Sequence, residues 1–239
     1  MIATQFSALP FLNNWRTKII YFVLNPLINM ALLVLIDMQY ANSFNWSIVA
    51  ASIAIDTTTL TMQTMNDLLV EDASLRIDFE MIAKKPFSFR YWMSKCITSA
   101  IIGTILAIIN LVLALCFGAP FYLILRVVIL LPLLCLTGII FGFTAWAISW
   151  QMNDPYFLAN FFSAIIQLVA GILVVITAYP TWLKSIALIF PFASPVTFIK
   201  TGSANLIASI IITLIWLLVG LIAYVIQIRP VLTKGKHRF

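Results

Sequence analysis

The sequence predicts an all-α, polytopic membrane protein with six transmembrane helices. Three observations carry that reading. Of the 239 residues, 63% are hydrophobic and 9% are charged, whereas a soluble domain is about 45–50% apolar and about 25% charged. A single globule of this size cannot hide so much apolar surface. Six apolar stretches reach the roughly 20 residues that a helix needs to cross the hydrocarbon. Lys and Arg, finally, alternate between successive loops, as the positive-inside bias demands.

Residues 1–18 come first. Phe6, Leu9, Phe11, Leu12 and Trp15, followed by Arg16 and Lys18, suit a helix lying in the cytoplasmic interface. Met1–Pro10 lacks the basic start and apolar core of a cleavable signal, so the first span is expected to stay. The spans are placed at Ile19–Ile36, Trp46–Met65, Ile97–Phe117, Phe121–Trp150, Phe157–Ala178 and Ala204–Ile228. The second carries Asp56, Thr57, Thr58, Thr59, Thr61, Gln63 and Thr64. Threonine hydroxyls bond their own helix carbonyls at low cost. A carboxylate inside a span is expensive and by default faces a bundle interior, a cavity or a partner. Asp56 is therefore the sharper signal, either lining a pathway (with Thr57 and Thr59) or a dimer interface, or as a satisfied structural group.

Residues 66–95 form the longest polar stretch. Acids come early (Asp67, Glu71, Asp72, Asp78, Glu80) and bases late (Lys84, Lys85), an order that complements a helix dipole. Pro86 stops a regular helix there. A short amphipathic helix over residues 71–85 is expected, either resting on lipid or docking a cytoplasmic partner. The dense acids favour docking, because an anionic leaflet repels them. Residues 178–202, between the last two spans, are broken by Pro180, Pro191 and Pro195. They read as one or two half-embedded helices, either a lipid-facing loop or an extracellular lid. Residues 229–239 are a basic tail.

Eleven Lys and Arg (Arg16, Lys18, Arg76, Lys84, Lys85, Arg90, Lys95, Arg229, Lys234, Lys236, Arg238) fall in segments on one side, against three (Arg126, Lys184, Lys200) on the other. The richer side is assigned to the cytoplasm, with both termini inside. Dispersed in this way, the net charge of +6 reads as membrane topology rather than as a nucleic-acid surface. Cys96, Cys116 and Cys135 have no metal-ligand spacing and read as small core residues. The single histidine, His237, lies in the tail, which removes His-dependent catalysis and His-ligated metal from consideration. No GxxxxGK[ST] phosphate loop is present.

The layout resembles the membrane subunit of type-2 ATP-binding-cassette (ABC) exporters. That family has an N-terminal interfacial helix, six spans, a coupling helix after span two and short extracellular re-entrant helices between spans five and six. Asp78–Phe79–Glu80 stands where the family loop has Thr-Leu-Glu, followed by Pro86–Phe87–Ser88 and Lys95, with Ile77 in place of the usual Gly. Pro180–Thr181–Trp182–Leu183 and the run from Pro191 to Pro195 are similar to the family's extracellular pattern.

The resemblance implies a permease subunit in the plasma membrane that exports a hydrophobic or amphipathic substrate (a drug, lipid or antimicrobial peptide). Two separate ATPase subunits would use ATP and Mg, and a second permease copy or homologue would complete the pathway. Glu71, Asp72, Asp78, Phe79, Glu80, Ile82, Lys84, Lys85 and Pro86 would then couple to the ATPase. Phe79 and Ile82 would fill a groove, and the acids would meet bases at its rim. Pro180, Trp182, Pro191 and Pro195 would form an extracellular gate. The chain itself is expected to bind no cofactor, metal or nucleic acid and to catalyse nothing. An ion-coupled carrier or immunity protein is the alternative. An intramembrane enzyme fits less well, since Glu71 and Glu80 both lie in the loop and no Gly-x-Ser-x-Gly turn is present.

Overall fold

The computed structural model describes residues 2–41, 44–75, 77, 85–150, 152–174 and 176–235. Among them there is no strand. Three short helices, α1 (Ile2–Ala8), α2 (Pro10–Asn13) and α3 (Trp15–Ile19), lead through a π-helical turn at Ile20–Leu24 into α4 (Asn25–Ala41). The turn has an identifiable cause. Pro26 has no N–H to offer the Phe22 carbonyl one turn back, and the register loosens there. The Asn110 side chain donates to that carbonyl at 2.9 Å.

Five longer helices follow: α5 (Trp46–Ser74), α6 (Phe89–Cys116), α7 (Phe121–Ser149), α8 (Phe157–Val169) and, at the end, α11 (Leu206–Gly235). Between α8 and α11 lie α9 (Thr181–Ile189) and α10 (Ala193–Thr201), which meet at 98°. Asn45 starts α5 by accepting from the Ser47 N–H.

Composition and helix length suggest a membrane protein. Four helices are long and apolar enough to cross a bilayer, or five if α9 and α10 count as one bent span. The expected six are thus not all visible as long apolar helices. The span expected at Phe157–Ala178 ends at Val169. Gly171, at φ +75°, takes the backbone out of the helix, which leaves 13 helical residues. The span expected at Trp46–Met65 differs in the other direction. Its helix runs on to Ser74, so Glu71 and Asp72 belong to α5 rather than to a separate amphipathic helix.

α5 is the centre of the bundle. It packs against α4, α6, α7, α8 and α10, and most extensively against α7. Its polar residues are tolerated because protein, not lipid, surrounds it. Close approach is built in. Gly138 and Gly142 present a small-xxx-small face on α7. A Cβ on Gly138 would meet the Thr58 carbonyl at 2.6 Å, and one on Gly142 would strike the Met62 carbonyl. Gly103 on α6 leaves room for the Thr61 side chain.

At the end of the bundle holding the first turns of α7, Arg126 donates to the Ile199 (2.9 Å) and Lys200 (3.4 Å) carbonyls, closing the C-terminus of α10. Lys200 in turn donates to the Gly171 (2.9 Å) and Ile172 carbonyls. Both cations hold backbone in place rather than standing free in a loop.

Candidate functional site

The structure assembles a polar groove on one side of α5. Asp56, Thr59, Gln63 and Asp67 recur every three or four residues, so they share a helical face. That face looks toward α4 and α8. Asp56 accepts from Asn29 Nδ2 at 3.0 Å and from Ser52 Oγ at 3.4 Å. Gln63 donates to Ser163 Oγ at 3.3 Å, crossing to α8.

The groove consists of two adjoining cavities. The larger, about 370 Å³, surrounds Asp56 and Thr59 and opens past Asn25, Asn160 and Gln167. The smaller, about 190 Å³, contains Asn66, Asp67 and Tyr156. Tyr21, Leu60, Gln63 and Asn160 belong to both walls. Two buried groups in these walls lack protein partners: Thr59 Oγ1 and the whole Asn66 amide. Burial raises the Tyr156 phenol, just before α8, and Asp67, Glu71 and Asp154 push it in the same direction.

Of the three pathway candidates, Asp56 and Thr59 line the groove. Thr57 does not. It is fully buried, and its hydroxyl bonds the Ile53 carbonyl at 2.7 Å. The amides of Asn29, Gln63, Asn66, Asn160 and Gln167, together with Asp67, were not singled out as site residues from sequence. An eleven-residue recurrence from Asp56 to Asp67 would have flagged part of the set.

In the expected coupling region, Asp78, Phe79, Glu80, Ile82 and Lys84 lie outside the described residues. Glu71 is half-buried and Lys85 is exposed. Asp72 has its partner inside the chain: Lys95 Nζ at 2.8 Å, with Tyr91 Oη donating to the same carboxylate oxygen at 2.6 Å. Lys95 also donates to the Leu68 carbonyl at 2.8 Å. The Pro86 carbonyl accepts from Tyr224 Oη (2.8 Å) on α11 and from Trp92 Nε1 (3.2 Å) on α6. These bonds fasten both ends of the 75–88 connection to the bundle.

In the expected gate, Pro180 caps α9 and Trp182 is 65% exposed. Pro191 lies buried in the α9–α10 turn, and Pro195 is buried in α10. Trp216 Nε1 donates to the Ile189 carbonyl at 3.0 Å, tying the end of α9 to α11. Among the described residues no group of three or more His, Cys, Asp or Glu is placed to hold a metal ion. A scan against protein-family models gives no match, and a search of curated proteins gives none.

Proposed function

We propose that the chain is the transmembrane permease subunit of an ATP-driven ABC exporter, with α4, α5, α6, α7, α8 and α11 as its six spans. The observation that carries this reading is the groove. A carboxylate with several amides lines a cavity between α4, α5 and α8, where a membrane protein has no structural need for them. The anchoring of the connection after α5 supports it. Asp72–Lys95 and the doubly bonded Pro86 carbonyl tie the cytoplasmic loop to α6 and α11, so a push on the loop moves helices rather than slack chain. In this account two ATPase subunits push there, a second permease copy completes the pathway, both termini are cytoplasmic in the plasma membrane, and α9–α10 form the outer gate with Pro180, Trp182, Pro191 and Pro195.

The rival is an ATP-independent, ion-coupled carrier using Asp56. Inside-out membrane vesicles separate the two. Uptake of an amphipathic dye that needs ATP and survives collapse of the ion gradients supports the exporter. Uptake that follows the gradient without ATP assigns the chain to the carriers.

A further inference from the structure

The charge of the groove is one-sided. Asp56 and Asp67 stand eleven positions apart on α5, close to three turns, so they face the same way about 16 Å apart. Among the described residues, neither cavity has a Lys, Arg or His in its wall. Aromatic faces accompany the carboxylates: Tyr21 borders both cavities and stacks on Phe11 at 4.9 Å, and Tyr156 lies beside Asp67. Such rings attract an organic cation through their negative faces.

The unpartnered groups point to a ligand independently of the acids. Asn66 is fully buried, lines the smaller cavity and has no protein partner for either amide atom. Thr59 Oγ1 is likewise unpartnered in the larger one. Leaving such groups unmet is costly. A purely apolar molecule would leave them so, and an anion would meet two carboxylates with no base. A bare metal ion is a poor fit, because the carboxylates are too far apart to share it, whereas about 370 Å³ suits a small organic molecule.

We propose that this groove binds a cationic amphiphile, an organic ammonium on an apolar body, between Asp56 and Asp67. The proposal rests on the reading of the groove as the substrate pathway and names the class of substrate. The ammonium donates to a carboxylate and to Thr59 or Asn66, and its apolar body lies along Leu60 and Tyr21 toward the opening.

The test uses the full-length chain in lipid nanodiscs and three tritiated probes of one chain length: dodecylamine, dodecanol and dodecanoate. Saturable binding is read by scintillation proximity at pH 7.5. The amine is expected to bind at least about tenfold more tightly than the alcohol, as a charge-assisted contact implies, and dodecanoate is expected to show no saturable binding. Asp56→Asn and Asp67→Asn should each weaken the amine about tenfold and leave the alcohol unchanged. Gln63→Trp, which fills the waist between the cavities, should abolish both. The probe series on the unaltered chain decides the charge question without any variant. If amine and alcohol bind equally and Gln63→Trp removes both, the cation proposal is wrong while the pathway reading stands. If no probe shows saturable binding that Gln63→Trp removes, both are wrong.

Discussion

Lys95 Nζ lies 2.8 Å from Asp72 Oδ2, and Lys95 is 1% exposed. The pair joins the last turns of α5 to the early turns of α6, where the chain enters and leaves the 75–88 connection. Removing one partner of a buried pair strands the other charge, at a cost of about 3–5 kcal/mol. Asp72→Ala is therefore expected to lower stability by about 3 kcal/mol, and Lys95→Met paired with Asp72→Leu to recover most of it. Thermal unfolding of the detergent-purified variants checks this. Equal melting of Asp72→Ala and the unaltered chain would make the pair a dispensable surface contact.

Coupling should separate from folding at Phe79. If its ring fills a groove on an ATPase, Phe79→Ala should weaken ATPase co-purification by about 1–2 kcal/mol or more without changing the melting temperature. Asp72→Ala should do the reverse, lowering the melting temperature first. Pro86→Ala keeps the carbonyl that Trp92 and Tyr224 hold, so it should retain assembly. If Phe79→Ala binds the ATPase as well as the unaltered chain does, the loop is not the coupling element.

Asn110 does the work that Pro26 leaves undone at Phe22. Asn110→Leu should leave the Phe22 carbonyl without its partner, costing about 1–3 kcal/mol. Adding Pro26→Ala restores a helical N–H and should return much of that. A double-mutant cycle on denaturation midpoints measures the coupling. Additive effects would show that the two residues act separately.

Gly138→Ala should cost about 1–3 kcal/mol by overpacking, because the new methyl meets the Thr58 backbone rather than a movable side chain. At exposed helical positions the same change is favourable by about 1 kcal/mol. A gain in stability would show that α5 and α7 separate more easily than their close packing implies.

How much was legible in the sequence depended on which surface each helix shows. Hydropathy reads contact with lipid, so α4, α6, α7 and α11, which keep exposed apolar faces, stood out. α5 was recognisable only in part, because a helix enclosed by its neighbours can carry Asp56, Gln63, Asn66 and Asp67 without presenting them to lipid. The apolar run after Phe157 read as one span, since composition does not reveal that Gly171 turns the backbone at positive φ. Lys95 counted as a loop charge because nothing local to it points to Asp72, 23 positions earlier. Of the site, Asp56 and Thr59 were legible from chemistry. The amides from α4 and α8 were not, because they join the groove only through tertiary packing.

The exporter account stands on ATP reaching this chain through a partner. The most direct measurement is ATP hydrolysis by the complex purified through this chain from its own membranes, with dodecylamine added and with Phe79→Ala as comparison. The account predicts an ABC ATPase that co-purifies in equal number with the permease, hydrolyses ATP faster when the amine is present and loses that stimulation in the variant. A chain that purifies without an ATPase and moves amine down an ion gradient alone would contradict it.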